Sequence, residues 1–338
     1  MSTDKKQTLI SELGEFGFID RLTKGFKNYK DDKTIGIGED AAVLSNGTVI
    51  STDSLMEGVD FDLTYFPLKH LGYKSVIAGI ADIYAMGATP KQIMLSLGIS
   101  GKFSVEAIEE IYSGVKIACD TYKLDLIGGD TNASMTGLVI NITSIGELND
   151  KEAIKRSGAK VNDLICVSGN LGASYMGINI LERENKLFQD NPEIQPQLQN
   201  YDYILKRYMK PEIATKVLES LEKKNITPNA MIDISDGLAS ELLHICKSSN
   251  TGCKVFLDKL PIDDETHKVA QELNMDAFTC AMNGGDDYEM LFTIPVDDYE
   301  KLIDISGLSI IGHITNDPHA VLVTPDGNEV EIKAQGWK

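Results

Sequence analysis

Short apolar runs of strand length alternate with stretches of helical period along most of the 338-residue chain. Runs rich in β-branched and aliphatic residues predict strands over 34–38, 41–44, 48–52, 93–99, 124–128, 137–146 and 163–168. Apolar residues at three- and four-residue steps predict helices over 9–24, 68–86, 104–122 and 171–184. The polar stretch FQDNPEIQPQLQN reads as a surface loop around 188–200. A helix follows near 201–208, and another is expected to start at Pro211, because proline suits a first helical position. AMIDIS then reads as a strand, 238–248 as a helix closed by Asn250 and Gly252, and CKVFLDKL as a further strand. The charged segment LNDKEAIKRSGAK marks a boundary near 148–158, which divides the chain into 1–150 and 151–338. The alternation makes this a mixed α/β chain.

One strand raises a chemical question. In TVISTDSLMEGVDF the apolar run Thr48-Val49-Ile50 leads into Asp53, and Glu57 and Asp60 follow at once. A carboxylate at the mouth of an apolar strand is costly to desolvate unless it is paired, hydrogen-bonded or bound to a metal. The arrangement recurs in TIGIGEDAAVL (Asp40), LIGGDT (Asp130), MIDISDG (Asp233, Asp236) and MNGGDDYEM (Asp286, Asp287). A turn or a helix cap explains any one of these, and Asp236 stands where a cap for the helix from Leu238 belongs. Their repetition favours convergent carboxylates held together by divalent cations.

The helix over 68–86 adds another acid. Gly72, Ser75, Gly79, Asp82 and Met86 fall at three- or four-residue steps and so share one narrow face, which another backbone can approach closely. Asp82 is expected on that buried face, with Lys74 pointing elsewhere. Gly87 suits the helix C-terminus, with Pro90 just beyond.

Charge narrows the range of partners. The net charge of −19 argues against nucleic acid, whose phosphates select basic surfaces. It also means that a phosphorylated substrate needs local cations, most simply metal ions. No apolar run reaches the length of a membrane span, and MSTDKKQTLISELGEFGF lacks the apolar core of a signal peptide. Cys119, Cys166, Cys246, Cys253 and Cys280 form no CxxC pair and read as buried thiols in a reducing compartment, so a cytoplasmic location is expected.

All-oxygen ligation points to magnesium, manganese or calcium. DISDGLASELLH fails the EF-hand pattern, and magnesium usually binds few carboxylates plus substrate phosphates, which favours nucleotide chemistry. A Walker A loop and the HRD and DFG motifs are absent, and GIGEDA fails GxGxxG at its last glycine. His70, His244, His267, His313 and His319 lie outside the acid motifs, so neither a histidine base nor a Ser-His-Asp triad is supported.

The motifs GEFGFI, GIGEDAAVL, STDSLMEGV, IADIYAMGATP, LIGGDT, KRSGAK, IDISDGLASEL, GGDDYEM and the terminal GW run in order from residue 14 to 337. In this the chain resembles the thiamine-monophosphate kinases, within the superfamily of ATP-using aminoimidazole-ribotide synthetase-like proteins. The resemblance implies ATP-dependent phosphorylation of thiamine monophosphate to thiamine diphosphate, with several magnesium ions. It implies a two-domain α/β (α+β) fold: an N-terminal mixed-sheet domain, 1–150, that binds ATP and magnesium and forms a homodimer, and a C-terminal α/β domain, 151–338, that completes the active site. By motif position, Asp40, Ser51 (through its backbone), Thr52, Asp53, Asp82, Asp130, Asp233 and Asp236 would be metal ligands. Tyr112, Gly129, Asp130, Arg156 and Ser235 would contact ATP, and Asp60, Asp286 and Trp337 the thiamine phosphate. Asp53, Asp130 and Arg156 would carry catalysis. Asp60 stands where the family usually has histidine, and Asp286 where it often has glutamate. A non-catalytic cation binder is one alternative. Others are the selenophosphate synthetases and the hydrogenase maturation protein of the same superfamily, but their reactive cysteines near the N-terminus or C-terminus have no counterpart here.

Overall fold

The structure is a computed structural model that describes residues 8–9, 12–27 and 33–334. After helix α1 (Gly14–Thr23) come β1 (Ala42–Val43), β2 (Thr48–Met56), α2 (Leu68–Ala85), β3 (Thr89–Ile99), α3 (Val105–Tyr122), β4 (Asp125–Ala133) and β5 (Val139–Glu147). The strands form a five-stranded sheet in the order β1-β2-β5-β3-β4, with only β3 and β4 parallel. Alternation along β2 turns Val49, Ser51, Asp53 and Leu55 toward α2 and Thr52 and Ser54 away from it. Ser51 Oγ donates to the Gly79 carbonyl at 2.9 Å, which ties strand to helix.

The second half contains β6 (Leu164–Ser168), α4 (Ala173–Asp190), α5 (Asp202–Met209), α6 (Thr215–Lys223), β7 (Ala230–Ile234), α7 (Leu238–Ser249) and β8 (Gly252–Phe256). It continues with α8 (Asp264–Glu272), α9 (Ala277–Asn283), β9 (Glu289–Ile294), α10 (Tyr299–Leu302), β10 (Leu308–Thr315), β11 (Ala320–Val323) and β12 (Glu329–Glu331). Its seven-stranded sheet runs β12-β11-β8-β10-β6-β9-β7, so β7 is an edge, and that edge packs on α2. One apolar core joins the two halves: Leu55, Ile77, Leu95 and Ile142 belong to the same cluster as Met176, Tyr208 and Phe292. A second cluster, including Val167, Ile232, Leu242 and Ile311, involves β6, β7, α7 and β10.

Helix α2 is therefore enclosed on nearly every side. The close approach read from its small residues is present. A Cβ on Gly72 would stand 2.0 Å from the Ile111 carbonyl, and one on Gly114 of α3 would stand 1.8 Å from that of Lys69. The two backbones meet where a side chain has no room.

Several boundaries differ from the sequence reading. Strand β2 continues past Asp53 to Met56 and β4 past Asp130 to Ala133, because β5 and β3 pair with them throughout. Asp53, Asp130 and Asp233 thus lie within strands and not at strand ends. Residues 34–38 form only single bridges, Ile35 to Val43 and Ile37 to Glu39, and β1 is only two residues long. Helix α4 extends to Asp190. Pro211 does not open α6, which starts at Thr215. The intervening chain is tied to α3 instead, where Ile213 N donates to Tyr122 Oη at 3.0 Å. Gly252 begins β8 rather than closing α7, whose left-handed cap is Asn250. Lys74 is buried, because α2 has no solvent face at that point. The five cysteines are free thiols.

Candidate active site

The acids meet where α2 lies between the two sheets. Asp40 comes from the turn before β1, Asp53 from β2, Asp82 from α2 and Asp233 from β7. Asp40, Asp82 and Asp233 each offer a carboxylate oxygen such that all three lie within 4.8 Å of one another. Asp82 is close enough to hydrogen-bond Asp53. Asp40 Oδ2 and Asp53 Oδ2 are buried with no hydrogen-bond partner among the described residues. Such orphaned oxygens, in an all-oxygen set, suit a hard divalent cation.

Crowding shows in the electrostatics. Burial pushes the Asp40 carboxyl up to about 6, with Arg156 opposing and Glu39 and Asp53 adding to the rise. Burial also pushes Asp53 up to about 6, against its hydrogen bond with Asp82. Asp82 and Asp233 are raised well above the usual carboxylate range, first by burial and then by the neighbouring acids. Arg156 meets the group from the segment between the sheets. Its Nε and Nη2 donate to Asp40 Oδ1 at 2.8 and 2.5 Å, and its backbone N–H donates to Glu39 Oε2 at 2.7 Å.

A second set lies beside the first. Asp286, in a left-handed conformation (φ 58°), donates its backbone N–H to the Ser235 carbonyl at 2.7 Å. Its Oδ2 accepts from Lys74 Nζ at 2.8 Å and its Oδ1 from the buried Tyr288 hydroxyl at 2.9 Å. Asp60 Oδ2 accepts from Met56 N at 2.7 Å. Burial raises the Asp60 carboxyl, Asp286 adds to the rise and Lys74 opposes it, so the three groups share one field. Trp337 lies outside the described residues.

The remaining candidates are dispersed. Asp130 pairs with Ser96, Ser96 with Asn141 and Asn141 with Ser54, all on the sheet face away from α2. Asp130 is thus three strand spacings, roughly 14 Å, from β2 and on the opposite face from Asp53. Thr52 shares that outer face, where Asn141 Nδ2 donates to its Oγ1 at 3.3 Å. Gly129 is required by packing, since a Cβ there would stand 1.8 Å from the Leu95 carbonyl. Tyr112 is exposed on α3. Ser235 and Asp236 form the exposed turn after β7, and Asp236 does not cap α7: its N-cap is Gly237, with no side-chain cap bond.

Two contributors escaped the sequence reading. Glu241, buried in α7, accepts from Asp236 N at 2.9 Å and braces that turn. Its place inside IDISDGLASEL was a usable signal. Lys74 carried none, because helical spacing placed it off the buried face.

Comparison with known proteins agrees with this architecture. The family described as AIR synthase related protein, N-terminal domain, matches residues 38–148, and the corresponding C-terminal domain family matches 160–324. The thiamine-monophosphate kinase of Buchnera aphidicola subsp. Schizaphis graminum is 36% identical over 96% of this chain and 98% of its own. That of Bacillus subtilis is 35% identical over 86% of each. Among solved structures, AaThiL complexed with AMPPCP and TMP superposes with a TM-score of 0.83, at 28% identity over 99% of both chains. A hydrogenase maturation protein HypE, at 17% identity over 94% of this chain and 98% of its own and a TM-score of 0.68, shares the fold. The chain belongs to the thiamine-monophosphate kinase family.

Proposed function

We propose that this protein phosphorylates thiamine monophosphate with ATP, giving thiamine diphosphate and ADP, and that Asp40, Asp53, Asp82 and Asp233 hold magnesium for that reaction. The observation that carries this reading is the convergence of Asp40, Asp82 and Asp233 between the sheets, with Asp53 beside Asp82, and the buried Asp40 and Asp53 oxygens that have no hydrogen-bond partner among the described residues. Ser51, Thr52, Asp130 and Asp236 are the further proposed ligands. Magnesium, when bound, neutralises phosphate charge and orients the reacting groups.

The chain's own residues do the rest. Arg156 presents a planar donor at the cluster for the transferred phosphoryl group, and Tyr112, Gly129, Asp130 and Ser235 hold ATP. Asp60, Asp286 and Trp337 are the proposed contacts of the acceptor. The attacking oxygen is the acceptor's own phosphate, whose second pKa is about 6, so it is largely ionised near neutral pH. A histidine base is unnecessary. His244 is pushed down to about 4, mainly by burial and then by Arg156, and so remains neutral.

The outer face of the five-stranded sheet supports a homodimer. Met56 on β2 and Met94 on β3 are exposed there, and exposed apolar side chains on a sheet face favour a partner. A second copy on that face would carry its own β4 acid toward Thr52 of this β2, so in this reading Asp130 and Thr52 are ligands on the outer face, apart from the cluster on the α2 side. A cytoplasmic location fits the free thiols, and among the described residues no helix is long and apolar enough to cross a membrane.

The direct test is incubation with ATP, magnesium and thiamine monophosphate, followed by chromatography for thiamine diphosphate. ATP hydrolysis without that product, or no turnover at all, overturns the reading.

A further inference from the structure

Lys74 is 1% exposed in the middle of α2. Burying an ammonium group is costly unless partners replace its water. Here its Nζ donates to Asp286 Oδ2 at 2.8 Å and stands 4.2 Å from the Tyr208 ring centroid and 5.6 Å from that of Phe66. Asp286 is held from other sides by the Tyr288 hydroxyl and the Ser235 carbonyl, in a left-handed conformation that a residue with a side chain keeps only when its surroundings enforce it. The same helix carries Asp82 eight residues further on. One rigid element thus sets both the acid cluster and the orientation of Asp286.

We propose that Lys74 is a positioning residue for the phosphate acceptor, acting through Asp286. This rests on the kinase reading above. Thiamine monophosphate carries a cationic ring, which a fixed carboxylate attracts. If Asp286 were free to rotate, part of that attraction would be lost in ordering it on binding. Lys74 orders it in advance and offsets the repulsion between Asp286 and Asp60.

Lys74→Met tests this, because it keeps an unbranched apolar chain out to the ε-carbon while removing the ammonium group, with its bond to Asp286 and its place over Phe66 and Tyr208. The KM for thiamine monophosphate should rise about 10-fold or more, the scale of a charge-assisted hydrogen bond. The KM for ATP and the kcat at saturation should stay within about threefold, since the Lys74 side chain bonds to Asp286 and packs on Phe66 and Tyr208, none of them a proposed ATP contact. Asp286→Asn should raise the acceptor KM similarly, and the double variant should be no worse than the worse single one, as expected for residues acting as a unit. A merely structural lysine would shift both KM values together or neither, and either result overturns the proposal. If Lys74→Met does not fold, a wild-type acceptor KM in Asp286→Asn overturns it equally. A wild-type protein that makes no thiamine diphosphate removes the kinase reading, and this proposal with it.

Discussion

Arg156 donates twice to a single oxygen of Asp40, at 2.8 Å from Nε and 2.5 Å from Nη2, and leaves Asp40 Oδ2 buried without a partner among the described residues. The segment between the sheets is thereby fastened to the first of them at the acid cluster. The pairing satisfies one oxygen of Asp40, and a single guanidinium facing Asp40, Asp82 and Asp233 leaves an excess of carboxylates, the condition under which a divalent cation binds.

Asp53→Asn keeps the size of the side chain but removes one of those charges. Turnover should fall by ~100-fold or more, as for loss of a principal electrostatic group, with circular dichroism unchanged. Calorimetric titration of magnesium into the nucleotide-free variant should show weakened or missing binding. Full activity at saturating magnesium would refute the assignment.

The contact between α2 and α3 depends on absent side chains. Gly114→Ala places a methyl group 1.8 Å from the Lys69 carbonyl, so the helices must separate. Overpacking of this kind typically costs about 1–3 kcal/mol. The melting temperature should drop by several degrees, and turnover should weaken because α2 carries Asp82. An unchanged melting temperature would show that the helices part freely.

Asp287 gives a pH dependence away from the acid cluster. Burial pushes its carboxyl up to about 7, Arg207 and the backbone N–H groups of Gly172 and Ser174 oppose the shift, and Glu289 adds to it. A folded-state value above the unfolded one means that the folded protein holds the extra proton. The stabilising contribution is then complete below about 4 and is lost as pH rises through about 7, at up to about 1.4 kcal/mol per pH unit. Asp287→Asn, neutral at every pH, should flatten the decline in chemical-denaturation stability between pH 5 and 8, where a pH slope equal to that of wild type would count against it.

Trp337 is the chain's one tryptophan, so its emission reports on a single position. A cation–π contact with the thiazolium ring contributes roughly 0.5–2 kcal/mol. Trp337→Ala should therefore raise the acceptor KM several-fold and leave that of ATP nearly unchanged. Titrating thiamine monophosphate with magnesium present should alter wild-type emission. Silent fluorescence together with wild-type kinetics in the variant would exclude the contact.

Hydrophobic period alone located α2, α3, β2 and β5 to within a few residues, because each is a long stretch with one dominant spacing. The acid motifs and the small-residue face of α2 were equally legible, since both are local patterns of residue type. Long-range pairing decided the rest. Whether Asp53 ends a strand or lies within it depends on how far β5 pairs alongside. That Asp130 stands on the opposite sheet face from Asp53 follows from the β4-β3-β5-β2 register, which no single segment encodes. Lys74 is the clearest case. Helical spacing directed it outward on the premise of one buried face, but the second sheet encloses α2, and only that enclosure brings an ammonium group from the first half of the chain onto Asp286, 212 residues away.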